Sequence, residues 1–190
     1  MLDRWTMPMT QGPLEALASK LAGRVSPDQV TLLGFIVGMS ALPLLAFEYY
    51  ALALVAIIIN RISDGLDGAL ARLTAKSSEA GGFLDIGLDF VFYAAVVLGF
   101  ALARPEENAL AAAFLLFAFI GTGTSFLAFA IAARGQDKLR TDLPNKAFYY
   151  LEGLTEGTET VAALVLFCLF PTHFAWLASL FAIACLITTT

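Results

Sequence analysis

"SDGLDGALARLTAKSSEAGGFLDIGLD", from Ser63 to Asp89, places four aspartates and an arginine between the apolar runs "ALALVAIII" and "FVFYAAVVLGFALA". The flanks decide the fold class. Several segments of the chain, extended beyond these runs, reach the roughly 20 apolar residues that a hydrocarbon core demands. The chain as a whole agrees: its 190 residues are 59% hydrophobic and 14% charged, with a mean hydropathy of +0.79. A soluble domain carries about a quarter charged residues, so the expected class is an all-α integral membrane protein.

Hydropathy predicts spans at Val30 to Phe47, Tyr49 to Ala75, Gly82 to Ala103, Ala109 to Ala133, Ala147 to Phe170 and Phe174 to the end. The expectation is a single domain over 1–190, with a six-helix membrane bundle at 27–190 and an interfacial segment at 1–26. In that segment Leu14, Leu17, Ala18 and Leu21 form a helical stripe opposite Glu15, Lys20 and Arg24, the pattern of a short amphipathic helix lying at the membrane surface. It lacks the uninterrupted apolar core of a signal peptide, so cleavage is not expected. Ten of the eleven basic residues fall on one side of these spans, and Arg104 alone falls on the other. Basic residues mark the cytoplasmic side, so the turn near Arg72 to Ala80 and the stretch "RGQDKLRTDLPNK" are expected there. No basic patch interleaved with aromatics is present, and nucleic acid is not an expected partner. Cys168 and Cys185 sit in apolar spans without metal-ligand spacing and read as small core hydrophobes.

The acids are ordered by helical spacing. Asp64 and Asp67 share a face at i, i+3, and Gly81, Asp85 and Asp89 repeat every four residues on the next helix. A short turn joins the two helices, which predicts antiparallel neighbours whose acidic faces converge. Four converging carboxylates repel unless a cation neutralises them. Hard oxygen ligands without His or Cys select Mg²⁺, Mn²⁺ or Ca²⁺ over zinc. Phosphate chemistry is a common use of such ions, and a metal pair would explain the need for four acids. The small residues Gly65, Gly68, Ala69, Ala71, Gly81 and Gly82 allow close approach by a neighbouring helix or by a ligand.

Asp64, Asp67-Gly68, Ala71-Arg72, Gly81, Asp85 and Asp89 together spell D-x2-D-G-x2-A-R-x8-G-x3-D-x3-D. This resembles the signature of the CDP-alcohol phosphotransferases, whose six-helix plan is similar to the one read above. The resemblance implies transfer of a substituted phosphate from a CDP-linked donor, either CDP-diacylglycerol or a CDP-alcohol, to an alcohol acceptor. CMP leaves, and a phospholipid or its precursor forms at the inner face of the cell membrane. It further implies that Asp64, Asp67, Asp85 and Asp89 hold Mg²⁺ or Mn²⁺, as two ions, and that Asp89 is also the base. Gly68, Ala71, Arg72, Ser78 and Gly81 would bind the nucleotide, and a homodimer is implied as well.

"SPDQVT" reads as a helix start, with Ser26 as N-cap, Pro27 in the first turn and Gln29 three residues after the cap. In the family a related Pro-Asn-x-x-Thr stretch helps hold the cytidine. Here Asp28 replaces the Asn, and Asp28, Gln29 and Thr31 are the corresponding contacts. A second polar stripe, Lys146, Tyr149, Glu152, Glu156, Glu159 and Thr160, lies at helical spacing in the fifth span. It either binds the acceptor alcohol or headgroup, with Lys146, Tyr149, Glu152 and Glu156 as contacts, or pairs with Arg61 and lines a wet cavity. "FYYLEGLTEGTET" also resembles an uncharacterised bacterial subgroup of the family. "GTGTS" at Gly121 to Ser125 reads as small-residue helix packing and "RPEEN" at Arg104 to Asn108 as an outer loop. A competing function is a divalent-cation or proton-coupled transporter, since intramembrane carboxylates mark ion paths too. Acids grouped beside an arginine near one interface favour headgroup chemistry over a midplane path.

Overall fold

The computed structural model describes residues 3–75, 79–134, 155 and 157–189, and among them every regular element is helical. The order is α1 (Asp3–Leu21), α2 (Pro27–Met39), α3 (Ala41–Ala46), α4 (Tyr50–Leu73), α5 (Glu79–Ala103), α6 (Pro105–Arg134), α7 (Gly157–Leu169), a 3₁₀ turn (Pro171–His173) and α8 (Phe174–Thr189).

Among the described residues, four segments are long and apolar enough to cross a membrane: Pro27–Ala46, Gly81–Ala103, Pro105–Ala128 and Pro171–Thr189. The six expected spans are therefore met in part. α4 has the length, at 24 residues, but carries Arg61, Asp64, Asp67 and Arg72. The described part of the fifth span is only the 13-residue α7, since most of 147–156 lies outside the described residues. The first expected span is two helices, broken at Ser40, whose side chain turns back to the Val37 carbonyl at 2.6 Å. The "RPEEN" loop is shorter than expected: helix α6 starts at Pro105, with Glu106 and Glu107 in its first turn. A first-turn proline needs no intrahelical N–H partner, and acids there suit the positive end of the helix dipole.

Helix α2 starts as its sequence predicts. The Ser26 hydroxyl accepts from the Gln29 N–H at 3.2 Å, and the Gln29 side chain accepts from the Ser26 N–H at 2.9 Å. Helix α1 is present but packs inward on α4. Ala18 is fully buried with Leu66, Ala69 and Leu70, flanked by Leu14 and Leu21, while Leu17 stays exposed. Gly65 makes that docking possible, because a Cβ there would lie 2.8 Å from Leu14 Cδ1.

The main core is aromatic at the end where α4 and α8 begin and α5 finishes. Phe100 stacks on Phe174 with ring centroids 4.5 Å apart and on Tyr50 at 5.8 Å, while Phe167 meets both phenylalanines edge-on. Outside this cluster Arg104 pairs with Glu48 at 3.1 Å, tying the α3–α4 turn to the α5–α6 turn. Small residues set the helix spacing elsewhere. Gly121 lies against Thr189 of α8, and Gly123 against the Phe90 ring of α5, as expected of "GTGTS". Cys168 and Cys185 are buried free thiols.

A close approach also falls between α3 and α5, where a Cβ on Gly99 would sit 2.8 Å from Leu45 Cβ and 3.0 Å from the Leu42 carbonyl oxygen. Gly99→Val is therefore expected to cost about 1–3 kcal/mol through overpacking. Gly87, with nothing within 4 Å of its missing Cβ, is the control: Gly87→Ala should be neutral or stabilising by up to about 1 kcal/mol. Thermal melts of the detergent-solubilised variants check both.

Candidate active site

All four aspartates of the opening stretch line one cleft. Its walls are Thr31 and Phe35 from α2, Asn60, Arg61, Asp64 and Asp67 from α4, and Asp85, Leu88 and Asp89 from α5, enclosing about 230 Å³ including the open mouth. The helical spacing thus does what it predicts. On α4 the acids lie six and nine residues before Leu73, and on α5 six and ten after Glu79. At 1.5 Å per residue that sets the cleft roughly 10–15 Å inside one end of the bundle.

One detail departs from the expectation of two tightly paired helices. Helices α4 and α5 make little backbone contact with each other, whereas α2 packs on both and α5 also packs on α3 and α6. The two acidic helices stand apart with the cleft between them, and side chains bridge the gap. Their register is antiparallel: Arg61 reaches Asp89 and Tyr93, while Asp64 lies within hydrogen-bonding reach of Asp85.

The bridge is built from Asn60 outward. Gly38 on α2 leaves room for it, since a Cβ there would lie 2.8 Å from Asn60 Cγ, while Gly34 leaves room for Ser63 one turn further along α4. Asn60 Nδ2 donates to the Gly34 carbonyl at 3.0 Å, which fixes the amide. Its Oδ1 then accepts from Arg61 Nε at 2.9 Å and Nη2 at 2.5 Å. The guanidinium lies over the Phe92 and Tyr93 rings, 4.9 and 5.1 Å from their centroids. From there it grips both oxygens of Asp89, Nη2 to Oδ1 at 2.5 Å and Nη1 to Oδ2 at 3.2 Å. Tyr93 Oη accepts from Arg61 Nη1 at 2.9 Å and donates to Asp89 Oδ2 at 3.2 Å. Asp64 is a more distant partner of Arg61 at 3.8 Å. On the far wall the Thr31 hydroxyl donates to Asp67 Oδ2, and Asp67 is buried, 4% exposed.

The other expected site residues fall around the cleft. Gly68 faces open space, with Arg72 Nη1 the nearest atom to a Cβ there, at 3.4 Å. It and Gly65 thus divide the roles expected of the small residues, one leaving room for a ligand and one for α1. Ala71, Arg72 and Gly81 follow on the same helices toward the mouth, outside the cleft lining. Asp28 is exposed, and the Gln29 side chain is taken up in the helix cap, so of the three cytidine candidates only Thr31 reaches the cleft. Ser78, Lys146, Tyr149, Glu152 and Glu156 lie outside the described residues.

The donor set consists of hard carboxylate oxygens, which fits Mg²⁺ or Mn²⁺ by chemistry. Among the described residues no three acidic, His or Cys side chains stand about a common point at ligand spacing; Asp89 is turned to Arg61 instead. Sequence reasoning missed Asn60, Tyr93 and the Gly34/Gly38 pair, and did not pair Arg61 with Asp89. The signals were present: Gly-x3-Gly on α2, Asn-Arg interrupting an apolar run, and a tyrosine four residues after Asp89.

These features define a class. Residues 24–189 match the family model described as CDP-alcohol phosphatidyltransferase, and the chain belongs to that family. It is 54% identical over 190 residues to "Inner membrane protein YnjF" of Escherichia coli (strain K12), covering all of this chain and 92% of that protein. It is 37% identical over 100 residues to archaetidylinositol phosphate synthase of Pyrococcus horikoshii, covering 50% of this chain and 51% of that one. Cholinephosphotransferase 1 of Gallus gallus is 32% identical over 114 residues, 54% of this chain and 33% of that one.

Asn60 supports both a buried carbonyl and the guanidinium. Asn60→Ala should cost about 1–3 kcal/mol by taking the acceptor of Arg61 Nε from a part-buried guanidinium, while Ser63→Ala, whose hydroxyl bonds the Ile59 carbonyl of its own helix, should be near neutral. Chemical or thermal denaturation of the two variants separates them.

Proposed function

We propose that the chain is a membrane-embedded CDP-alcohol phosphotransferase, moving a substituted phosphate from a CDP-linked donor to an alcohol with release of CMP. The observation that carries this is the convergence of Asp64, Asp67, Asp85 and Asp89 on one cleft in a chain that belongs to the family. The printed names of two relatives, archaetidylinositol phosphate synthase and cholinephosphotransferase 1, support phospholipid biosynthesis as the setting. The name of a third, with the apolar helices, supports a multi-pass protein of the inner membrane. The bias of basic residues toward the cleft end supports a cytoplasmic opening.

In this mechanism Asp64, Asp67, Asp85 and Asp89 would hold a pair of Mg²⁺ or Mn²⁺ ions. When bound, such ions neutralise charge on the donor's pyrophosphate. Asp89 takes the proton of the acceptor hydroxyl at a carboxylate oxygen as that hydroxyl attacks the β-phosphorus. The new O–P bond forms while the bond from the β-phosphorus to the CMP oxygen breaks, and CMP carries away the electron pair. Arg72 grips phosphate oxygens with its planar fork. Gly68, Ala71 and Gly81 let the nucleotide approach the helix backbones, Ser78 meets it from the turn, and Asp28 stands near the helix start beside it. Thr31 holds the Asp67 carboxylate toward the cleft. Lys146, Tyr149, Glu152 and Glu156 are assigned to the acceptor alcohol, and the working unit to a homodimer.

Asp89→Asn keeps the shape of the site and removes the base. CMP release should fall roughly 10²–10⁴-fold with binding of the CDP-linked donor largely retained; undiminished release with a competent substrate pair would refute Asp89 as the base. Gly68→Val fills open space instead of clashing. It should leave the melting temperature unchanged or higher, because Val costs less than Gly inside a helix, and should weaken nucleotide binding measured by titration calorimetry.

A further inference from the structure

We infer that Arg61 is a positioning residue that acts as the internal counter-cation of the carboxylate cluster. It holds Asp89 by both oxygens while the cleft is without metal and gives up part of that grip when a divalent ion arrives. The inference rests on the metal site proposed above and adds to it a residue outside the aspartate motif.

The geometry is that of a built support rather than a chance surface pair. Only 12% of the Arg61 side chain and 26% of the Asp89 side chain are exposed. The guanidinium is fixed on three sides before it meets an acid: by Asn60 Oδ1 on two of its nitrogens, by Tyr93 Oη on a third, and by the Phe92 and Tyr93 ring faces. Asn60 is itself fixed by the Gly34 carbonyl. A side chain held that way presents its charge at a set point, and that point faces Asp89 and, farther off, Asp64. The cluster therefore keeps one positive charge of its own among the four acids of the cleft.

A metal ion binding the same carboxylates meets that charge as a competitor. Removing it makes the metal-free cluster harder to fold and the metal easier to bind, two effects of opposite sign. A side chain that only filled space would change stability equally with and without metal.

The test uses the full chain in detergent, melted across titrations of MgCl₂ or MnCl₂ alone. Arg61→Met should lower the metal-free melting temperature by on the order of 10 °C. Saturating Mg²⁺ should close at least about half of that gap, and the half-saturating concentration should fall about tenfold or more. Arg61→Lys keeps the charge and should hold the metal-free melting temperature within a few degrees of wild type. It should still slow CMP release, because an ammonium cannot grip both oxygens of Asp89. Tyr93→Phe keeps the ring and drops the bridging hydroxyl, so it should show a smaller change in the same direction; it carries the test if Arg61→Met does not fold. An equal loss with and without metal, or an unchanged half-saturation, overturns the inference. If wild type shows no metal-dependent shift and no CMP release, the proposed function falls and this inference with it. A wild-type shift that both variants share unchanged removes the inference alone.

Discussion

Four carboxylates face one cleft in a bundle whose surroundings are otherwise apolar, and each must be compensated where it stands. Charges a few ångströms apart interact far more strongly in such surroundings than in water, and an acid within a membrane segment is costly unless it finds a partner. Much of the local architecture follows from that constraint. Thr31 is brought to Asp67 by the capped start of α2. Arg61 is brought to Asp89 by Asn60, and Asn60 fits against α2 because position 38 is glycine and the Gly34 carbonyl accepts its amide. The helix that carries the support is thus α2, which bears none of the four acids.

The two ends of the bundle divide the work. At one end the stacked rings of Tyr50, Phe100 and Phe174, with the Arg104–Glu48 pair outside them, hold the helices close. Toward the other end Arg61 of α4 reaches Asp89 of α5 across the cleft. The docking of Leu14 at Gly65 closes one side of α4 against α1.

Much of this was legible in the sequence, for physical reasons. The i, i+3 and i, i+4 spacing of the acids sets their faces whatever the tertiary context, and all four line one cleft. The Ser26–Gln29 cap was legible because capping is local. What could not be read was lateral. Spacing along a helix does not say whether α4 and α5 touch or stand apart, and hydropathy does not show that the first span breaks at Ser40. Among the described residues apolar length recognises four spans, since the charges of α4 remove it from that count and the described part of the fifth span is only α7. Helix α1 was read as surface-lying because its stripe is visible in sequence, but the partner that covers most of the stripe, α4, is not. The partner of Arg61 was hidden in the same way: with acids on two neighbouring stretches available, only the structure pairs it with Asp89.

The account stands most directly on the chemistry of the cleft. Purified protein should be assayed for CMP release over a panel pairing CDP-diacylglycerol with small polar alcohols and CDP-linked small alcohols with lipid alcohols, each with Mg²⁺ and with excess chelator. The account predicts that at least one pair releases CMP in step with formation of the phosphodiester product, and that chelation abolishes it. Divalent-cation or proton flux through proteoliposomes, with no CMP formed from any pair, would contradict it.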